Sequence, residues 1–244
     1  PVITGNVSPR LLYLLGLQSG LAQAIANCAT SGPSSGAYTA EICISLQDNK
    51  DAVSGTTPVR GTVTVNGTAP AVRTAVFYLD GEYLLTDYEV PYTFELPTTY
   101  FVDGTHRLSV DVLMRDGFIT EQAGFVLSFA NGVTTPPVNT NTFTPSSGRP
   151  AGPGEAFIVA AVGDGAGGRN DAAQVVDLIA SWNPNLFLYL GDVYDKGSPT
   201  EFYNWYGDET RLFGRFRAIT NPIIGDHEYE KRQAPGYFSY WDNI

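Results

Sequence analysis

The sequence predicts a multidomain protein: a helix, then an all-β sandwich, then an α/β half-domain. Between about 37 and 131, short runs alternate apolar and polar residues, and Asn66-Gly67, Asp80-Gly81, Asp103-Gly104 and Asp116-Gly117 punctuate them. After 156 the alternation gives way to unbroken apolar runs such as Leu186 to Leu190, each ending in a glycine and an aspartate. A stretch dense in proline, threonine and glycine separates the two patterns. Alternation is the habit of strands with one buried face, whereas a continuous run fits a parallel strand covered on both. The boundaries that follow are a helical, cysteine-bearing segment at 1–49, a sandwich at 50–131, a linker at 132–155 and an α/β unit at 156–244.

The first helix is expected to start at Ser8-Pro9, with Ser8 as its cap and Pro9 in the first turn. It carries Leu11, Leu12, Leu14, Leu15, Leu21, Ala22 and Ile25, more apolar surface than a lone helix leaves in water. That surface packs either on its own chain or on another subunit, so a homo-oligomer or an assembly through this helix is one expectation. Gly16, Gln18, Ser19 and Gln23 interrupt it, and it is too short and too polar for a transmembrane segment. Cys28 and Cys43 enclose a loop of glycine, serine and threonine. They are either a disulfide or two buried thiols, and the even count in a chain of secreted character favours the bond, tying the helix end to the first strand.

Candidate sandwich strands are Tyr38–Leu46, Val59–Val65, Arg73–Leu79, Tyr92–Leu96, His106–Met114 and Gly124–Ala130. The turn dipeptides between them accept positive φ. The proline-rich linker is expected to be extended and semi-rigid. A hydrophobic fraction of 43% suffices for packed cores. The excess of 25 acidic over 14 basic residues gives a formal charge of -11 and excludes a protein that tracks nucleic-acid backbones. Few lysines with many Tyr, Thr, Asn and Gly point to an extracytoplasmic chain, secreted or at the cell surface.

In the α/β unit, three apolar strands run into Gly163-Asp164, Gly191-Asp192 and Gly225-Asp226-His227-Glu228. The helix Asp171–Trp182, with Ala172, Val175, Val176 and Ile179 on one face, follows the first strand, and helical segments at Pro199–Tyr206 and Arg211–Phe216 follow the second. Right-handed crossovers put all three aspartates on one rim, where ligands of such sheets gather.

Two resemblances follow from these motifs. Val76 to Leu79 with Asp80-Gly81, then Pro91, Tyr92 and Phe94, then Asp103-Gly104-Thr105-His106 with Leu108, Val110 and Val112 resemble bacterial immunoglobulin-like modules. Within that pattern His106 opens a strand and reads as structural. The ordered Gly163-Asp164, Gly191-Asp192-Val193-Tyr194 and Gly225-Asp226-His227-Glu228 resemble the calcineurin-like metallophosphoesterases, which include the purple acid phosphatases.

The fold class is thus an immunoglobulin-like sandwich joined to an α/β metallophosphoesterase half-domain. The resemblance implies phosphate-ester hydrolysis at two metal ions, iron, manganese or zinc. Asp164 would ligate the first ion, Asp192 would bridge both and Asp226 would hold the second. His227 would stabilise the transition state or protonate the leaving oxygen, and the glycine before each aspartate would let the backbone turn sharply.

The chain departs from the family at several places. Ala166 stands where many members have histidine, and Asp226 where most have asparagine. Tyr194, the nearest counterpart of the purple acid phosphatase tyrosine ligand, lies one place out of step with it. The only histidines are His106 and His227, so this chain alone would not complete a second metal's ligands. The alternative function is a structural or adhesive self-assembling surface protein with a degenerate or incomplete phosphatase-like domain.

Overall fold

The computed structural model describes residues 27–46, 52–135, 143–168 and 171–242. The helix expected over the first 26 residues lies outside them, and so does any assembly through it. The sandwich has one sheet of four strands in the order β1 (Asn27–Ser31), β2 (Tyr38–Leu46), β4 (Thr56–Gly67), β7 (Tyr92–Pro97). The other has five, in the order β3 (Ala52–Val53), β9 (Ala123–Phe129), β8 (Gly104–Met114), β5 (Val72–Leu79), β6 (Glu82–Asp87). Alternation does the folding here: in β2, Tyr38, Ala40, Ile42, Ile44 and Leu46 point inward and are buried against Phe77, Leu108, Val110 and Phe125. His106 is clamped at the start of β8, with Nδ1 at 2.7 Å from Asp80 Oδ2, Nε2 at 2.8 Å from the Val102 carbonyl oxygen, and its ring stacked on Phe129.

The sandwich starts earlier than 50. β1 and β2 belong to its first sheet, with Cys28 opposite Cys43. The two cysteines are bonded, and the bond joins neighbouring strands rather than a helix end to a strand. β1 is short, polar and mostly exposed, so it leaves no hydrophobic pattern to read. β6 also escaped, because four of its six residues are buried in succession and show no alternation.

The α/β unit is a three-stranded parallel sheet, β10 (Val159–Val162), β11 (Leu186–Tyr189), β12 (Thr220–Pro222), paired in that order. Helix α1 (Ala172–Ser181) buries Ala172, Val176 and Ile179 in one core with Ala160, Phe187 and Tyr189. The turns of Leu212–Ile219 and helix α2 (Pro235–Trp241) add Phe213, Phe216, Tyr240 and Trp241 to it. Described residues cover one face of this sheet fully; on the other, Val159 and Ala161 are exposed and Leu186 and Leu188 half-buried. Of the two-sided burial expected from the continuous runs, the described residues supply one side in full. Phe187 and Tyr189 account for one face, and the alternate residues are apolar without being enclosed.

The described part of the linker, from Phe143, is a docked strap. Phe143 packs on Trp241, Ser146 exchanges hydrogen bonds of 2.6 and 2.9 Å with the Asn221 side chain, and Arg149 reaches the Asn183 side chain and the Pro184 carbonyl.

The two domains meet along β6 and β7, both edge strands, whose free backbone groups would otherwise be open to pairing. The Asn204 side chain brackets Glu95 of β7, accepting its N–H and donating to its carbonyl, each at 2.9 Å. Ser198 Oγ donates to the Leu84 carbonyl of β6. The carboxylate of Glu201, fully buried, accepts from the amides of Asp195, Lys196 and Ser198 at 2.5, 3.1 and 2.9 Å and from the Tyr83 hydroxyl. Trp205 packs against both cores.

The disulfide closes a sequence separation of 15 residues, so Cys28→Ser with Cys43→Ser should cost about 2–3 kcal/mol, measured by urea unfolding of the oxidised protein and the double variant. Burial pushes the Asp87 carboxyl up to about 7 from 3.8, and the Glu201 carboxyl up to about 7 from 4.5, against the amide donors that hold each one down. A carboxyl raised in the folded state adds stability that is complete below the unfolded pKa and lost as pH rises through the folded one. The unfolding free energy should therefore fall between about pH 4 and pH 7, by on the order of 1–3 kcal/mol per group. A thermal midpoint no higher at pH 5 than at pH 8 would contradict this.

Candidate active site

The carboxyl ends of β10, β11 and β12 carry the three Gly-Asp loops, and parallel pairing puts these ends on one edge. Asp164 and Asp192 sit at φ 57° and 66°, a left-handed region that L-residues enter at a cost and that tends to mark functional turns. Asp226 begins the helical turn Asp226–Tyr229.

The loops are laced together. Asp164 N–H donates to the Gly191 carbonyl at 3.1 Å, Tyr194 N–H to the Ala166 carbonyl at 2.7 Å, and the Tyr189 hydroxyl accepts from Ala166 N–H and donates to the Asp192 carbonyl, both at 3.1 Å. The expectation that each glycine serves a sharp turn holds only for Gly191, at φ 99°. At Gly225 the need is space: a Cβ there would lie 2.0 Å from Asp192 Oδ1.

A residue the motif reading passed over sets this geometry. Glu228, 1% exposed, accepts from Gly225 N–H at 2.7 Å and Asp192 N–H at 3.2 Å on Oε2, and from Val193 N–H at 2.7 Å on Oε1. Its position three residues after Gly225 matches the reach-back of a helix-capping glutamate, a signal present in the sequence.

Around this edge lies a cleft of about 460 Å³, lined among others by Asp164, Asp171, Tyr194, Asp195, His227 and, from the sandwich, Tyr88. His227 N–H donates to Asp192 Oδ1 at 3.3 Å and its Nδ1 to the Asp195 carbonyl at 2.5 Å. Burial by itself would lower the His227 pKa, but the Asp195 carbonyl and the charges of Asp192, Glu230 and Asp226 raise it overall. Tyr194 donates to Asp164 Oδ1, which, with burial and the neighbouring aspartates, holds its phenol well above the usual value. Its hydroxyl is thus engaged with a carboxylate. Ala166 is fully buried in a bridge to Val193, so that position presents no ligand. Nothing local in the sequence marks Tyr88, Asp171 and Asp195 as sharing a cleft.

No lysine or arginine among the described residues is paired with Asp164, Asp192 or Asp226. Carboxylate oxygens with an imidazole close by are donors suited to hard or borderline cations, so these residues fit a metal ion. Their carboxylates stand further apart than a closed ligand set. Among the described residues, the one trio with ligand atoms all within 4.8 Å is Cys28, Glu41 and Cys43, and its sulfurs are bonded to each other.

The fold and the cleft define a two-domain protein in which a β-sandwich walls the acidic edge of a parallel α/β unit. Residues 41–110 match the bacterial Ig domain and residues 157–244 the calcineurin-like phosphoesterase domain, and the chain carries the two in that order. No curated protein matches it. Among solved structures it is similar to the fibronectin(III)-like modules of CbhA from Clostridium thermocellum, at 20% identity over 38% of this chain and 99% of that one, with a TM-score of 0.29. It is also similar to an endo-beta-1,4-mannanase from Thermotoga petrophila, at 16% identity over 50% of this chain and 22% of the other, with a TM-score of 0.29. A third likeness is to a polysaccharide deacetylase from Bacillus cereus, at 10% identity over 74% and 59% of the two chains, with a TM-score of 0.28.

Replacing Glu228 with alanine strands one buried and two partly buried amides and should destabilise the protein by about 2–4 kcal/mol in urea unfolding. The exposed neighbour Glu230→Ala should cost less than about 0.5 kcal/mol. Equal effects would show that the Glu228 bonds do not hold the loops.

Proposed function

We propose that the protein is a metal-dependent phosphoesterase acting outside the cytoplasm. One observation carries the reading: within the segment that matches the calcineurin-like phosphoesterase domain, three strand-end aspartates and His227 lie at one edge of the sheet, and Asp164 and His227 line a cleft of about 460 Å³, a size that suits a small ester. The disulfide supports an oxidising compartment. Among the described residues no helix is long and apolar enough to cross a membrane.

In this reading Asp164, Asp192 and Asp226 would hold the metal. Bound metal supplies charge that offsets the phosphoryl oxygens and favours attack by water. The protein's own part is orientation and proton handling. The Asp195 carbonyl holds His227 Nδ1, which leaves Nε2 free to take up a proton and deliver it to a phosphoryl or leaving oxygen. Tyr194 orients the Asp164 carboxylate through its hydroxyl.

Asp192→Asn removes the central negative charge and should lower metal-dependent hydrolysis of an aryl phosphate at least about 100-fold. Added manganese or zinc should raise the thermal midpoint of the parent protein and raise that of Asp192→Asn much less. Undiminished turnover in the variant would end this assignment.

A further inference from the structure

The turn after β6 reaches the cleft through Tyr88, and β6 itself carries Tyr83, so side chains of the sandwich come up to the groups that hold His227. Tyr88 is half-buried and lines the cleft, and its hydroxyl donates to Asp195 Oδ1. The carbonyl of the same Asp195 accepts from His227 Nδ1 at 2.5 Å. A carbonyl oxygen only accepts, so this bond puts a hydrogen on Nδ1 and leaves Nε2 without a protein partner among the described residues. The Asp195 amide is held in turn by Glu201 at 2.5 Å, and Glu201 receives the hydroxyl of Tyr83. Asp195 is thus gripped at its side chain, its N–H and its carbonyl, and two of the groups behind that grip, Tyr83 and Tyr88, belong to the sandwich.

We infer that the sandwich is a working part of the site, with Tyr88 a positioning residue that sets the tautomer and direction of the His227 ring through Asp195. What His227 then does rests on the phosphoesterase reading; how it is held does not. The bond to the Asp195 carboxylate pins the residue whose peptide oxygen faces His227. Without it the side chain is free to rotate and the peptide can tilt, so the acceptor on Nδ1 loses its place. A displacement of about 1 Å at a proton-transfer group is enough to cost one to two orders of magnitude in rate without removing any group that touches substrate.

The chain has only two histidines, so their ring nitrogens can be followed individually by long-range 1H–15N NMR. His106 is tied to Asp80 and Val102 within the sandwich and serves as an internal reference. In Tyr88→Phe, which keeps the ring and loses the hydroxyl, the Nδ1–H pattern of His227 should be lost while that of His106 stays. Asp195→Ala should give the same loss, and Asp195→Asn, which keeps an oxygen for Tyr88, should retain the pattern. Asn204→Ala breaks the domain contact elsewhere, at Glu95, and should lower the thermal midpoint without moving His227.

On an aryl phosphate, Tyr88→Phe should reduce kcat about 10-fold or more, with KM changed less than about 2-fold. An unchanged His227 spectrum in Tyr88→Phe would overturn the inference, as would an equal change in Asn204→Ala. A His227 change in a protein that hydrolyses no phosphate ester would uphold the positioning role and sink the phosphoesterase reading instead.

Discussion

The acidic edge of this molecule depends on a buried carboxylate satisfied entirely by amides. Glu228 spans the loops that follow β11 and β12, taking hydrogen bonds from Gly225, Asp192 and Val193. Burying a carboxylate is costly unless its oxygens are hydrogen-bonded, and here three N–H groups meet that need. The same bonds hold Asp192 in its left-handed conformation and bring Gly225 so close that no side chain fits between them. The positions of Asp226 and His227 follow, because both begin the turn that Glu228 caps.

The second organising contact lies between the domains. A β-sandwich has edges, and in this one the edges β6 and β7 are covered by the segment between 195 and 205 of the α/β unit. That segment also supplies Asp195, whose carbonyl holds His227. Covering the edges and supporting the site are thus done by one stretch of chain, with Glu201 buried at its centre and Trp205 shared by both cores. A sandwich attached in this way acts as a wall of the cleft as well as a neighbour.

Charge ties the two contacts together. Asp164, Asp192 and Asp226 raise the pKa of Tyr194, while Asp192, Asp226 and Glu230 raise that of His227. Both shifts record negative charge gathered at the strand ends, of the kind that draws a cation in.

Local pattern determined much of this protein. The alternation in Tyr38–Leu46 and His106–Met114 specified sandwich strands because each half-buried strand writes its buried face into every second residue. The three Gly-Asp motifs marked strand ends, since an apolar run cannot continue through a glycine and a carboxylate without leaving the core. Where the pattern is weak, tertiary structure decided. β1 is held by pairing and a disulfide rather than by burial, β6 is buried without alternation, and one face of β10 and β11 is apolar yet only partly covered by the described residues. The part of the cleft contributed by Tyr88 had no trace in the sequence. Its partner Asp195 lies 107 positions away, and only the packing of two edge strands against another domain brings the hydroxyl and the carboxylate together.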